Sequence, residues 1–353
     1  MPDMQSSPMT NQAAMKVFNR RQFLSLNGSL RSEARQEVHP DEWIRVSRSA
    51  MACSFEAIIP AGDRGLLASQ ACFDEVDRLE SILSVFRPAS ELNRLNRCAA
   101  ADPVSVGPEL FELLQACQSI HEETEGSFNV ATGALSECWG FQHGKPHIPT
   151  AESLAAALKC VDFRRVSLGQ DQTVSFCSPG LRINFGAVGK GYALDRGAAK
   201  MRACGTRTAL LTAGYSSILA AGEGPDGAGW LVGLRHPVFK DQRMGTLRLH
   251  SCAIGTSGQE EQWFEIDGKR YGHILDPRTG FPPNGTLSVT VIADSATLAD
   301  ALATAFFVGG PELAKQYCDV REGVVAVMLL ENDLSQPIVI GSSDRAVLEF
   351  MHG

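Results

Sequence analysis

Apolar and polar residues alternate with a period of two at Trp43 to Val46 and again at Phe55 to Ile59, the spacing of half-buried β-strands. From Leu66 to Leu83 the period lengthens. Phe73, Val76, Leu79 and Leu83 recur every three or four residues between charges, which predicts an amphipathic helix. A second helix is predicted from Pro108, where proline suits the first turn, through Leu110, Leu113, Leu114, Cys117 and Ile120. Beyond the loop from Gly140 to Pro149 come a helix over Ala151 to Leu158, strands over Val174 to Phe176 and Arg182 to Phe185, and a helix over Lys190 to Cys204. The second half holds more strand, at Ala209 to Thr212, Trp230 to Leu234, Gly245 to Leu249, Trp263 to Ile266 and Leu287 to Ala293. Helices follow over Thr297 to Val308 and Pro311 to Cys318. Strands and helices intermix without regular βαβ spacing, so the expected class is α+β. No linker is long or polar enough to cut residues 41–353 into independent domains.

Residues 1–40 break this pattern: rich in Ser, Gln, Asn, Arg and Met and without periodicity, they read as a disordered leader. Arg20-Arg21-Gln22-Phe23-Leu24 resembles the start of a twin-arginine export signal, but Ser25 to Arg31 lacks the apolar stretch of about 7 to 15 residues that such a signal needs. No stretch approaches the ~18 consecutive apolar residues of a membrane span. Ten cysteines are scattered with no C-x-x-C pair, which argues against a zinc ribbon or thioredoxin-type site and suits a reducing compartment. A cytoplasmic protein is therefore expected, with export through a degenerate leader as the alternative. The net charge of -8 excludes a general nucleic-acid surface, so any phosphate ligand must be handled locally.

Several motifs fail on context. Gly222-Glu223-Gly224-Pro225-Asp226-Gly227 matches G-x-G-x-x-G, but its centre is turn chemistry and a predicted strand follows where that fingerprint needs a helix. Gly189-Lys190-Gly191 lacks the Ser or Thr of a phosphate loop, and no H-E-x-x-H or G-x-S-x-G occurs. Three segments carry more chemistry. Asn184 to Tyr192 runs through small residues into a helix, where unpaired N–H groups and Lys190 suit an anion, although an ordinary strand-to-helix turn has the same letters. His273 stands at a strand end before the turn Asp276-Pro277-Arg278-Thr279-Gly280, placed for proton transfer or a phosphate contact, or simply as a structural histidine. Asp300 and Thr304, four apart on an alanine-rich helix, share one face, an oxygen pair suited to Mg2+ or, more plainly, a helix-start carboxylate and a back-bonded threonine.

In this order, and together with Ser84-Val85-Phe86-Arg87-Pro88-Ala89-Ser90-Glu91, Gly126-Ser127-Phe128-Asn129 through Thr132-Gly133 to Trp139-Gly140-Phe141, and Gly255-Thr256-Ser257-Gly258, these segments resemble the ApbE family. The resemblance runs from about Met51 to about Gly310. It implies a T-fold-like single unit with two subdomains. It also implies FAD:protein FMN transfer: Mg2+-dependent cleavage of FAD, FMN attached to a threonine hydroxyl of an acceptor flavoprotein with a D-x-x-T-G-A-T-like sequence, and AMP released. By the same resemblance Asp300 and Thr304 hold the metal, with backbone at Ala187 and Ala303. Met51, Phe86, Ser127, Phe128, Asn129, Asn184, Lys190 and His273 line the FAD site, and His273 and Asp300 are the catalytic candidates, His273 as base.

The chain also departs from that pattern. Asn184 and Asn129 stand where the family commonly has aspartate, Phe86 where it often has tyrosine, and Gly214-Tyr215-Ser216-Ser217 replaces a segment with an acid. Lost carboxylates near a pyrophosphate leave two alternatives, an FAD pyrophosphatase giving FMN and AMP, and a catalytically silent FAD-binding protein.

Overall fold

Nine strands hydrogen-bond in the order in which they occur along the chain, each antiparallel to the next. They are β1 (Ala14–Phe18), β2 (Trp43–Ala50), β3 (Cys53–Pro60), β4 (Ala209–Ala213), β5 (Ser217–Ala221), β6 (Ala253–Gly258), β7 (Thr286–Ala293), β8 (Val325–Leu330) and β9 (Asp333–Gly341). The computed structural model describes residues 14–18, 42–142, 144–239, 241–259 and 262–350. Most of the expected leader therefore lies outside the described residues, while Ala14–Phe18 adds an edge strand to β2. β2 and β3 are joined by two residues, Met51 and Ala52, both with positive φ (47° and 61°), the backbone of a tight two-residue hairpin turn.

Seven helices among the described residues are inserted into this meander: α1 (Asp63–Leu83), α2 (Glu91–Cys98), α3 (Pro108–Glu123), α4 (Gly133–Cys138), α5 (Ala151–Leu158), α6 (Gly189–Ala203) and α7 (Ala296–Val320). α7 contains a break at Gly310 (φ 76°, ψ -174°) just before Pro311, so the two helices expected there meet end to end. Strand alternation sorts the side chains into two cores. Phe55, Ala57, Ile59, Leu211, Val289 and Val291 pack toward α1, α6 and α7. Ile58, Leu210, Ile254, Ile292 and Val327 pack on the other side against Trp230, Leu234, Leu247 and Leu249 of a three-stranded sheet. The result is three layers with the helices on one face only, an α+β arrangement.

α2 to α5, with a second three-stranded sheet (Val104–Ser105, Val166–Leu168, Thr173–Phe176), form a region inserted between β3 and α6, and α2, α3 and this sheet share the helix-side core. Trp139 anchors it to the rest: its ring is fully buried and its indole N–H donates 2.8 Å to the Gly280 carbonyl. Arg182 to Phe185 is extended but is not a strand, contrary to expectation. Apart from one bridge between Arg182 and Thr132, its backbone is satisfied by side chain and loop: Asn96 Oδ1 accepts from Ile183 N (2.8 Å), Asn96 Nδ2 donates to Ile183 O (2.9 Å), and Asn184 N donates to Val130 O (2.8 Å). A single amide side chain thus stands in for a strand partner. Gly222 to Gly227 is the loop between β5 and the strand Trp230–Arg235, with positive φ at Gly222, Gly224 and Gly227. None of the described helices is long and apolar enough to cross a membrane.

Candidate active site

The N-terminus of α6 and the second turn of α7 meet against β6 because glycine removes the side chains that would separate them. A Cβ on Gly191 would lie 2.1 Å from the Ala296 carbonyl oxygen, and one on Gly255 would lie 2.4 Å from the Ala299 carbonyl carbon. At this crossing Asp300 is buried (7% exposed), accepting from Gly191 N at 2.7 Å and from Ser217 Oγ, 2.8 Å from both carboxylate oxygens. Burial pushes its carboxyl pKa up to about 7, against the lowering effects of the Lys190 charge and of these two donors. Lys190 donates to Ser216 Oγ, and one turn along α7 the Thr304 hydroxyl lies 3.1 Å from that of Ser257. The chamber around these groups, about 160 Å³, is lined by eighteen residues, ten of which carry a hydroxyl or amide side chain.

It opens into a cleft of about 1220 Å³ that runs out past Met51, Phe86, Tyr215 and Arg235, and Asn184, Lys190, Ser216, Thr256 and His273 line both spaces. Tyr215 and Phe86 are exposed in this cleft, and the Arg235 guanidinium sits 4.8 Å over the Tyr215 ring. His273 directly follows the strand Lys269–Gly272, and its Nδ1 is 3.1 Å from the Gln262 carbonyl. A carbonyl only accepts, so the neutral ring carries its proton on Nδ1 and Nε2 is the basic nitrogen.

The structure brings most of the expected residues together. Ser127, Asn129, Asn184, Ala187, Lys190, His273, Asp300 and Thr304 line the chamber, and Met51 and Phe86 the cleft. Two side chains do not reach either space. Phe128 is fully buried in the helix-side core, because between Ser127 and Asn129 it points the other way. Ala303, one residue before Thr304, is turned about 100° around α7 into the same core. Only their backbones are available. The two asparagines have local roles: Asn129 Nδ2 donates to Val161 O (2.6 Å) while its Oδ1 accepts from Ala131 N (2.8 Å), and Asn184 Oδ1 accepts from Gly186 N (2.8 Å). A carboxylate could not make the Asn129 donor bond. Sequence reasoning saw Ser216 and Ser217 only as a stretch lacking an acid. They are the partners of Lys190 and Asp300.

Known proteins match this chain along most of its length. The family model described as "ApbE family" matches residues 48–329. An FAD:protein FMN transferase of Treponema pallidum is 35% identical over 260 residues, 69% of this chain and 72% of that protein. One from Klebsiella pneumoniae is 32% identical over 282 residues, 79% of this chain and 86% of its own. Among solved structures, the ApbE protein from Thermotoga maritima superposes with a TM-score of 0.77 at 28% identity, covering 86% of this chain and 97% of that one. The flavin transferase ApbE from Vibrio cholerae gives 0.77 at 25% identity, covering 84% and 97%. With the family model spanning 48–329 and these relatives aligned over most of the same stretch, the chain belongs to the ApbE family.

Proposed function

We infer that this chain is an FAD:protein FMN transferase, moving FMN from FAD to a threonine hydroxyl of an acceptor protein and releasing AMP. The observation that carries the reading is the joined pair of spaces: a small polar chamber with a lysine, a buried carboxylate and a histidine, opening into a cleft large enough for a dinucleotide. The activity of the named relatives supports the same reading.

In this reaction the threonine oxygen forms a bond to the FMN phosphorus, the bond from that phosphorus to the bridging oxygen breaks, and AMP leaves with the bridging oxygen. His273 takes the threonine proton on Nε2. Lys190 receives pyrophosphate charge in a protein of net charge -8, the N–H groups of Gly189 and Gly191 at the start of α6 being taken by Phe185 O and Asp300. Ser216 orients the Lys190 ammonium. Among the described residues no three His, Cys, Asp or Glu side chains converge. An oxygen set of one carboxylate and hydroxyls, completed by phosphate and water, fits Mg2+. Asp300 and Thr304 would hold the ion, with the Ala187 and Ala303 backbones, and when bound it would neutralise the pyrophosphate. The cytoplasm is part of the reading, on the scattered thiols.

Purified protein with FAD, Mg2+ and an acceptor bearing a D-x-x-T-G-A-T-like segment should yield flavin that stays on the acceptor through denaturation, with one AMP per flavin. AMP and FMN formed without labelled acceptor would replace the reading by a pyrophosphatase. Bound FAD with no AMP would replace it by a silent binder.

A further inference from the structure

Asp195 lies one helical turn after Gly191, on the same face of α6, and its carboxylate reaches across to the start of α7. Its Oδ1 accepts from Ala296 N at 2.9 Å and its Oδ2 from Thr297 N at 2.8 Å, and the Thr297 hydroxyl donates to the same oxygen. With Ser295 Oγ accepting from Leu298 N at 3.2 Å, the first three N–H groups of α7 are all paired. Asp300 makes the mirror-image contact, accepting from Gly191 N in the first turn of α6. Each helix therefore places a carboxylate on the N-terminus of the other. Gly191 and Ala296 touch between the two rungs, too close for any side chain at position 191.

From this reciprocal exchange we propose that Asp195 is a positioning residue for the active site, fixing the register between α6, which carries Lys190, and α7, which carries Asp300 and Thr304. Without it, among the described residues, Ser295 is the side-chain cap left to α7, and the crossing keeps its packing at Gly191 and the hydrogen bond from Gly191 N to Asp300. That is the carboxylate the site needs for its ligand. Asp195 lies outside the residues lining the chamber and the cleft, so it acts through the helices and not by touching FAD. The assignment rests on the transferase reading insofar as Asp300 and Thr304 hold Mg2+ and Lys190 meets pyrophosphate.

Asp195→Asn and Thr297→Val are tested, with Asp195→Ala if it folds. One arm is the Mg2+-dependent rise in Tm without FAD. The other is FAD affinity in EDTA, read by flavin fluorescence. Asp195→Asn should raise the half-saturating Mg2+ concentration about tenfold, the usual cost of losing support behind a ligand, and should also raise the FAD Kd. Thr297→Val, which removes one donor to Asp195 and alters no lining residue, should move both constants the same way by less. A fall in Tm with both constants unchanged would overturn the proposal and leave Asp195 an ordinary cap. If the wild type shows no Mg2+ response, the metal assignment fails on its own, and the FAD arm decides the role of Asp195.

Discussion

Glu75 and Asp300 are both buried carboxylates on helices, and they are treated in opposite ways. Glu75 on α1 is 4% exposed and meets Arg78 through two bonds (2.9 and 2.8 Å), with Arg196 at 3.9 Å and Lys200 at 3.7 Å on α6. Arg78 goes on to Glu109 of α3 at 2.7 Å. The Arg78 hydrogen bonds hold the Glu75 carboxyl below its usual pKa in spite of burial, and the surrounding cations add to this. Asp300 is as little exposed but lies deeper in the protein, where desolvation is stronger, and it meets a hydroxyl, a backbone N–H and one lysine charge, so burial wins. The chain supplies the counter-charge of Glu75 in full, so that cluster ties three helices together and is finished. It leaves the charge of Asp300 under-compensated, and the proposed cation site rests on that difference.

The contrast breaks if the two acids prove interchangeable in their effects. Asp300→Ala should lower flavin transfer about a thousandfold, several kcal/mol of transition-state stabilisation, with the apo protein still folded, as measured by single-turnover transfer to an acceptor. Glu75→Gln should leave the turnover number nearly unchanged and instead cost about 1 kcal/mol of stability at pH 7 in denaturant unfolding, because it weakens the bonds to a half-exposed Arg78 that keeps Glu109. The depressed Glu75 pKa fixes the sign of the pH effect. Its contribution is present above the unfolded value of 4.5 and is lost as pH falls through the folded value, so the deficit of Glu75→Gln should fade in acid. A transfer defect in Glu75→Gln as large as that of Asp300→Ala would end the distinction.

For Asp300 the sign reverses. A carboxyl whose pKa rises from 3.8 to about 7 on folding stabilises most below the unfolded value, and that stability is lost as pH rises through about 7. In EDTA the wild type should therefore lose about 2 kcal/mol between pH 5 and pH 8 relative to Asp300→Asn, whose side chain does not titrate. Urea unfolding of both proteins at the two pH values measures this. Parallel pH profiles would mean that Asp300 is as well compensated as Glu75.

The sequence made one of these regions legible and hid the other, for physical reasons. Asp300 and Thr304 could be paired because helical periodicity alone puts residues four apart on one face. The long amphipathic helices α1 and α3 and the strands β2 and β3 were readable for the same reason, that their signals are local, whereas the pairing of the two strands through Met51 and Ala52 was not. The Glu75 cluster joins charges on three separate helices, and in sequence each looks like an ordinary solvated face. Ser217 and Asp300 are 83 residues apart, and Asn96 and Ile183 are 87 apart, so no window along the chain shows either contact. β9 escaped because its first four residues are exposed and its inward alternation, Ile338 and Ile340 around an exposed Val339, spans only three positions.

The finest test concerns Ser217, the hydroxyl that partly compensates Asp300. Its hydrogen bond to the carboxylate lowers the Asp300 pKa against burial, so Ser217→Ala should push that pKa higher still and shift the loss of stability to higher pH. A hydrogen bond to a charged group is worth more than one between neutral groups, so the stability cost of the substitution should be about 1 kcal/mol larger at pH 8 than at pH 5 in EDTA. Mg2+ should shrink this difference, since a bound cation takes over the compensation that the hydroxyl gave. Equal costs at both pH values would mean that Ser217 merely fills space beside Asp300. The under-compensation would then come from burial alone, with no hydrogen bond tuning it.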